Sequence, residues 1–218
     1  MVVDMVGYYN LDEPGEYDDA VDSAGIMGNL IASGGELSST SGPGSHSARN
    51  FSDGRSLTQL VNFSSFSGVP FSINFWIFQN SNGGQYTFDC SGGVAQGFSC
   101  FLASDAPYVN LYSFNGGDYN SPGTITTSGT VGEWVMFTLV WTETDYFYYE
   151  NGALIATDAF SQPGFDVDVT PFCISPAFLP VDGAMALFGL WGRALDGTEV
   201  GQLYNGGDGL SFAELETL

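Results

Sequence analysis

Alternation of apolar and polar positions is the clearest pattern along the chain. In 71–78 (FSINFWIF) every second residue is Phe or Ile, which is the period of a half-buried β-strand. Trp76 and Phe78 make the other face of this strand apolar too, so we expect it to lie in the middle of its sheet. The segment 135–141 (VMFTLVW) repeats the alternation and predicts a second long strand.

Turn residues between these runs predict hairpins. A break at Glu143, Thr144 and Asp145 separates 135–141 from the aromatic run 146–149. Asn151-Gly152 is the strongest turn signal in the chain, and it predicts that 153–157 pairs antiparallel with the strand before it. Further Gly-rich clusters lie at 82–84, 92–93, 115–117 and 121–123. Many short strands separated by turns are typical of an all-β sandwich or barrel.

Helical patterns occur only near the C-terminus. The segment 196–199 (DGTE) can cap a short helix through 200–204, which 205–207 (NGG) ends. A second capping box lies at 211–214 (SFAE). We therefore expect one or two short helices at the edge of a β protein.

One domain over 1–218 is the predicted organisation. The stretch 33–47 has the Ser- and Gly-rich composition of a linker. The roughly 30 residues before it are too few for a core of their own, so we do not expect a domain boundary there.

The charge balance excludes whole classes of partner. The chain has 25 acidic and 3 basic residues, no lysine and a formal net charge of −22. Binding to nucleic acid or to an anionic lipid surface requires clustered cations, so neither is a predicted partner. Two interpretations of the charge stay open, namely solubility and a partner surface that carries cations.

The cysteines predict neither a metal site nor a disulfide framework. Cys90, Cys100 and Cys173 form no C-x-x-C pair, and His46 is the single histidine. We expect buried thiols, with a Cys90–Cys100 bridge as the alternative if the two lie on neighbouring strands.

No targeting or membrane segment is expected from the sequence. Residues 1–4 lack the basic and apolar regions of a secretory signal, and no apolar run approaches the length of a membrane span. The chain is therefore expected to be cytosolic, exported by an unusual route, a processed fragment, or assembled inside a cell and released by lysis.

Several short motifs resemble one family when they are taken in order. They are 6–13 (VGYYNLDE), 21–25 (VDSAG), 48–51 (ARNF), 71–76 (FSINFW), 132–134 (GEW), 148–152 (YYENG), 188–195 (FGLWGRAL) and 203–207 (LYNGG). Together they resemble laminin-G-like, concanavalin A-like lectin domains over essentially the whole chain. The resemblance implies a jelly-roll sandwich of two antiparallel sheets.

Members of that family bind glycans, bind proteins or hydrolyse polysaccharides, and the fold does not choose among these. Glycoside hydrolysis needs two carboxylates about 5 to 9 Å apart. Glu143 and Asp145 lie at a hairpin break with no third acid two residues further on. We expect them to be turn residues and the protein not to be an enzyme.

A structural calcium ion is implied by the resemblance but is weakly supported by the residues. The family's ligands are an Asp in the early Asp-Ser-x-Gly segment, here Asp22, and a second Asp where this chain has Ala186. Because calcium takes six to eight oxygen ligands, the loss of a carboxylate weakens the site. The alternative is that Asp22 forms a turn.

A glycan-stacking face is predicted on one strand. Tyr108, Asn110 and Tyr112 alternate with Val109 and Leu111, so they lie on one face of that strand. Exposed aromatic rings beside amide groups are suited to binding sugars.

Two functions are carried forward. Single-domain proteins that resemble this one occur among bacteriophage structural proteins, which predicts a virion subunit, either a capsid decoration or a tail appendage. Such a subunit would bind other virion proteins, contact host-surface glycans and self-associate. The alternative is a carbohydrate-binding or adhesive module of a bacterial surface protein.

Overall fold

The two strands with the clearest alternation pair with each other at the centre of one sheet. The computed structural model describes residues 1–14, 19–33, 37–52, 54–61, 70–89, 97–102, 108–115, 118–120, 124–126, 131–159 and 170–218. Strand β6 (Phe71–Gln79) runs antiparallel to β12 (Trp134–Trp141), with Phe75 opposite Phe137. Both are almost entirely buried, as the apolar residues on both faces of β6 predict.

Sixteen strands and two helices make up the described part. The strands are β1 (Met5–Tyr9), β2 (Ile31–Ser33), β3 (Ser38–Ser41), β4 (Ser47–Asn50), β5 (Ser56–Val61), β6, β7 (Gln85–Asp89), β8 (Gly97–Leu102), β9 (Tyr108–Asn115), β10 (Asp118–Asn120), β11 (Thr124–Thr126), β12, β13 (Asp145–Glu150), β14 (Ala153–Ala159), β15 (Thr170–Ile174) and β16 (Gly183–Trp191). The helices are α1 (Gly197–Tyr204) and α2 (Phe212–Leu215).

Two eight-stranded antiparallel sheets form the sandwich. The first has the order β14-β13-β12-β6-β16-β4-β3, and β1 pairs with β16 as well. The second has the order β10-β9-β8-β7-β15-β5-β2, with β11 beside β9. The predicted jelly-roll sandwich of two antiparallel sheets with short C-terminal helices is therefore confirmed.

An aromatic core fills the space between the sheets. Phe75 and Phe137 of the first sheet pack edge to face, with ring centroids 5.6 Å apart. Phe88 of the second sheet lies 5.9 Å from Phe75 and 5.8 Å from Phe188. The residues on this side of β6 are thus the ones that join the two sheets.

The outer face of the first sheet has a second apolar cluster that the C-terminal segment covers. Trp76 points away from the inter-sheet core, and its ring stacks on Tyr204 of α1 at 5.8 Å. Val200 and Leu203 of α1 and Leu215 of α2 are buried in the same cluster. The helices therefore form a third layer over part of this sheet.

The helix boundaries follow the predicted capping boxes. The Asp196 carboxylate accepts hydrogen bonds from the backbone N–H groups of Thr198 and Glu199, and Glu199 accepts one from the Asp196 N–H. Arg193 donates to both oxygens of Glu199, at 2.7 and 2.6 Å. This bidentate pair lowers the pKa of Glu199, with the hydrogen bonds from Arg193 as the largest cause.

Two local predictions have different outcomes. The Asn151-Gly152 hairpin is confirmed, with both residues at positive φ (50° and 80°) between β13 and β14. The linker composition of 33–47 was misleading, because β3 lies within this region and pairs with β4, which begins at Ser47, at the edge of the first sheet. Ser and Thr on an exposed edge strand resemble a linker because no core contact selects apolar side chains there.

Neither helix of the described part has the length and hydrophobicity of a transmembrane span.

A glycine substitution tests the pairing of β6 with β16. A Cβ added to Gly183 would lie 1.8 Å from the carbonyl oxygen of Phe78, so Gly183→Ala should destabilise the protein by at least about 3 kcal/mol. Gly201 has open space around its Cβ position in α1, and Gly201→Ala should stabilise by roughly 0.5–1 kcal/mol. Denaturant unfolding of both variants checks the difference, and equal effects would contradict this account.

Candidate functional site

The predicted glycan-stacking residues lie on a strand of the second sheet. Tyr108, Asn110 and Tyr112 all belong to β9. In the register of β8 and β9, Asn110 lies opposite Phe101 and Tyr112 lies opposite Ser99. The side chains of these three residues lie outside the described part of the structure, so their binding role stays a prediction.

Aromatic rings do lie on the outside of the same sheet. Tyr86 of β7 pairs with Phe101 of β8, and their ring centroids are 4.8 Å apart. Phe178, in the loop after β15, is 5.0 Å from Tyr86 on its other side and 63% exposed. The three rings are tilted by 50° and 59° relative to their neighbours, so they do not form one flat platform.

Asp22 organises the loop after β1. Its carboxylate is 7% exposed and accepts five backbone hydrogen bonds of 2.7 to 3.1 Å. The donors are the N–H groups of Tyr8, Ala24, Ile26, Met27 and Gly28. This arrangement ties β1 to the turn that follows Asp22, and it fits the turn-forming role that the sequence left open.

This environment does not suit a calcium ion. A carboxylate has about four lone-pair sites, and five N–H donors occupy both oxygens of Asp22. Ala186, at the position of the family's second Asp, is fully buried in the apolar cluster outside the first sheet. Among the described residues, no group of three or more His, Cys, Asp or Glu could hold a metal ion. Calcium binding at Asp22 stays a prediction, and the hydrogen-bond geometry of this carboxylate does not favour it.

A cavity opens on the outer face of the first sheet, beyond the part that the helices cover. Its volume is about 280 Å³, at the small end of ligand clefts. Five strands and the residue after β6 contribute to it, because β12, β6, β16, β4 and β3 are neighbours in the sheet. The residues that line it are Thr40, Ser41, Asn50, Phe78, Asn80, Trp134, Gly183 and Ala184.

Cross-strand register explains why these residues meet. Trp134 lies opposite Phe78, Phe78 opposite Ala184, and Ala184 opposite Asn50. Paired residues share a face of the sheet, so the row places two aromatic rings next to each other and one amide on the far side of Ala184. The rings of Phe78 and Trp134 are 5.7 Å apart and tilted by 54°.

The cavity lining is uncharged although the chain is strongly acidic. None of the lining residues carries a charge, and the carboxylate beside them, Asp182, accepts hydrogen bonds from Asn80 and Ser81. Arg49 is buried and paired with Glu13 at 3.2 Å, and Arg193 is paired with Glu199. The site therefore offers aromatic surface, amides and hydroxyls.

The residues considered for catalysis lie elsewhere. Glu143 lies in the turn between β12 and β13, and Asp145 is the first residue of β13, where its carbonyl accepts a hydrogen bond from Thr142 N–H. Cys100 and Cys173 are free thiols, so Cys100 forms no bridge, and Cys90 lies outside the described residues. Burial raises the pKa of the Cys100 thiol to about 12, which keeps it protonated at neutral pH.

Sequence reasoning missed this cavity. Phe78 was placed on a predicted strand, and Trp134 and Asn50 were parts of family motifs, but nothing local joins them. Their separations of 56 and 28 positions (134 − 78 and 78 − 50) are bridged only by strand pairing. The available signal was the apolar outer face of β6, which predicts that some partner covers it.

Comparison with known families identifies the fold. The family model of the concanavalin A-like lectin/glucanases superfamily matches residues 27–201. Among curated protein sequences, none matches the chain.

Solved structures with the same fold include carbohydrate-binding and receptor-binding domains. Domain 4 of AbnA, a GH43 extracellular arabinanase from Geobacillus stearothermophilus solved with arabinotriose, aligns with a TM-score of 0.75 at 15% identity over 91% of this chain and 97% of that one. The receptor-binding domain of the botulinum neurotoxin C/D mosaic serotype aligns at 0.69 and 13% identity, over 94% and 52%. The binding domain of botulinum neurotoxin DC in complex with SialylT aligns at 0.65 and 15%, over 90% and 52%. This chain thus spans about half the length of the two toxin domains.

A substitution at Asp22 tests its role in the loop. Asp22→Asn replaces one carboxylate oxygen by an amide N–H₂ group, which faces backbone N–H donors and cannot accept their hydrogen bonds. It should therefore lower the free energy of unfolding by at least about 2 kcal/mol. Asp19→Asn is the matched control, because Asp19 accepts a single exposed bond of 3.4 Å from Ala32 N–H. Denaturant unfolding with calcium and with a chelator should give equal midpoints for the unsubstituted protein. A calcium-dependent midpoint that Asp22→Asn abolishes would establish the metal role instead.

Proposed function

Since the chain belongs to the concanavalin A-like lectin/glucanase superfamily, we propose that it is a non-enzymatic glycan-binding domain whose binding site is the cavity on the outer face of the first sheet. The observation that carries the proposal is the lining of that cavity. It combines the rings of Phe78 and Trp134 with the amides of Asn50 and Asn80.

Sugar binding uses both aromatic rings and hydrogen-bonding groups. The C–H face of a sugar ring packs on an aromatic side chain, and its hydroxyl groups require hydrogen-bond partners once they leave water. Trp134 is only partly buried, so part of its ring is available for packing. The hydroxyl groups of Thr40 and Ser41 lie on exposed residues at the opposite side of the row.

Binding without hydrolysis is the activity that this lining supports. Glycoside cleavage uses a pair of carboxyl groups that flank the bond, and the cavity lining contributes none. The neighbouring Asp182 holds Asn80 and Ser81 in place through hydrogen bonds of 3.2 and 2.5 Å. We assign it a positioning role.

We also propose that 1–218 form a single domain, although the family match covers 27–201. Strand β1 lies outside the match and pairs with the C-terminal half of β16. Phe212 N–H, at the start of α2, donates to the Asn10 side chain, and the Tyr8 hydroxyl donates to the Leu210 carbonyl. Both ends of the chain are thus joined to the same sheet.

The carrier that we propose for this domain is a bacteriophage particle, on which it binds other virion proteins and host-surface glycans and associates with copies of itself. An acidic surface with few cations suits an outward-facing coat. Free thiols at Cys100 and Cys173 are compatible with assembly in a reducing cytosol.

The alternative carrier is a bacterial surface protein. The similar solved structures include a numbered domain of an extracellular enzyme, which favours a module of a longer chain.

Removal of one ring tests the binding site. Trp134→Ala should raise the Kd of the best ligand from a printed glycan array by about fivefold to tenfold, because it deletes the stacking surface. Phe178→Ala is the control, since Phe178 is an exposed aromatic residue on the other sheet. Isothermal titration on variants with unchanged melting temperatures measures both. If Phe178→Ala weakens binding and Trp134→Ala does not, the site lies on the second sheet.

Immunogold labelling tests the carrier. An antibody against this chain should label phage heads or tails in electron micrographs of the source culture. Label confined to cell envelopes, with bare particles, would contradict the virion role and favour the surface-protein alternative.

A further inference from the structure

The two amides in the cavity have fixed and opposite orientations. Asn50 Oδ1 accepts a hydrogen bond of 3.0 Å from the backbone N–H of Ser52. A backbone N–H can only donate, so the oxygen of this amide faces Ser52. The Asn50 N–H₂ group has no partner among the described residues, and Asn50 lines the cavity.

Asn80 is fixed the other way round. Its N–H₂ group donates to Asp182 Oδ1 and to Ser52 Oγ, each at 3.2 Å. A carboxylate can only accept, so the nitrogen faces Asp182 and both of its hydrogens are used. Its carbonyl oxygen accepts no hydrogen bond from any described residue. The cavity therefore presents one amide donor, at Asn50, and one amide acceptor, at Asn80.

The rings of Phe78 and Trp134 line the cavity on the outer face of the first sheet. Phe78 stands in the row between Trp134 and Ala184, and Ala184 separates it from Asn50. Gly183 has no side chain and cannot gain one, because a Cβ would meet the Phe78 carbonyl. A small apolar group can therefore pack beside the two amides.

These features together match one chemical group. An acetamido group has an N–H donor, a carbonyl acceptor and a methyl group. We propose that the cavity binds a neutral sugar that carries an acetamido substituent: its N–H donates to Asn80 Oδ1, its carbonyl accepts from Asn50 Nδ2, and its methyl packs against Phe78 and Trp134. This inference rests on the proposed glycan-binding function and specifies the ligand of that same site.

Charge restricts the ligand further. The cavity lining offers no cation, and the whole chain has a net charge of −22. A carboxylate or sulfate on the ligand would meet a repulsive field without a partner for its charge. The preferred sugar is therefore uncharged.

Two disaccharides with the same linkage isolate the acetamido group. N,N′-diacetylchitobiose differs from cellobiose only in having acetamido groups in place of two hydroxyls. By isothermal titration, the full chain should bind the acetylated disaccharide about tenfold or more tightly than cellobiose. Cellobiose lacks the acetamido N–H and carbonyl groups that pair with Asn80 and Asn50. The methyl glycoside of N-acetylneuraminic acid adds a carboxylate to an acetamido sugar. It should bind more weakly than diacetylchitobiose, and the gap should narrow as salt is added.

An isosteric variant links the preference to Asn50. Asn50→Asp keeps the acceptor for Ser52 N–H and removes the donor for the acetamido carbonyl. It should lower the preference for diacetylchitobiose over cellobiose to about twofold or less. Gln202→Glu is the control, because it adds the same negative charge at an exposed position of α1 outside the cavity lining, and it should keep the preference.

The outcomes separate the inference from the proposed function. If cellobiose binds as well as diacetylchitobiose and Trp134→Ala weakens both, the site binds glycans but the acetamido inference is wrong. If no glycan of the array binds in a Trp134-dependent way, both are wrong. Retention of the preference in a folded Asn50→Asp variant would also overturn the inference.

Discussion

The first sheet has two apolar faces, and this constraint determines how the rest of the molecule is arranged. Phe75 and Ile77 on one side of β6 pack into the core between the sheets, and Trp76 and Phe78 point the other way. A sheet that is apolar on both sides needs a cover on both sides, because exposed apolar surface of this extent is costly in water. The second sheet covers one face, and the C-terminal helices cover part of the other.

The extent of the helical cover places the cavity. Helix α1 is fixed over the sheet by the Trp76–Tyr204 stack and by the Arg193–Glu199 pair. Phe78 and Trp134 lie further along the same face, where they are only partly buried. The polar residues at the strand ends, Asn50 and Asn80, close this uncovered region from one side. The binding site that we propose is thus the part of this hydrophobic face that the helices leave uncovered, whereas the covered part stabilises the fold.

Several carboxylates of the described residues bind the protein's own backbone and side chains. Asp22 binds five N–H groups of one loop, Asp196 caps α1, and Asp182 orients Asn80. With 25 acids and 3 bases, most carboxylates cannot find a cationic partner, and backbone N–H groups are the alternative donors. The same scarcity of cations leaves the cavity uncharged, which is why an uncharged ligand suits it.

Much of the architecture follows from the sequence alone. The alternation in 71–78 and 135–141 predicts the two central strands, Asn151-Gly152 predicts the hairpin between β13 and β14, and the capping boxes predict both helices. These features are local, because the period of a strand, the φ values of a turn and the first N–H groups of a helix depend on residues a few positions apart. The sandwich itself was predicted from the family resemblance, because several motifs in a fixed order restrict the possible folds more than a single motif does.

The cavity and the hydrogen bonds of Asp22 were decided by the tertiary structure. Trp134, Phe78 and Asn50 are distant in the sequence and become neighbours only through the register of four strands. The sequence left Asp22 with two roles, and only the folded loop shows five N–H groups directed at one carboxylate. Likewise, the orientation of each amide depends on Ser52 and Asp182, whose hydrogen-bonding groups reach it only in the folded chain. Local patterns determine which elements form, whereas the chemistry of a site depends on which side chains the pairing of those elements brings together.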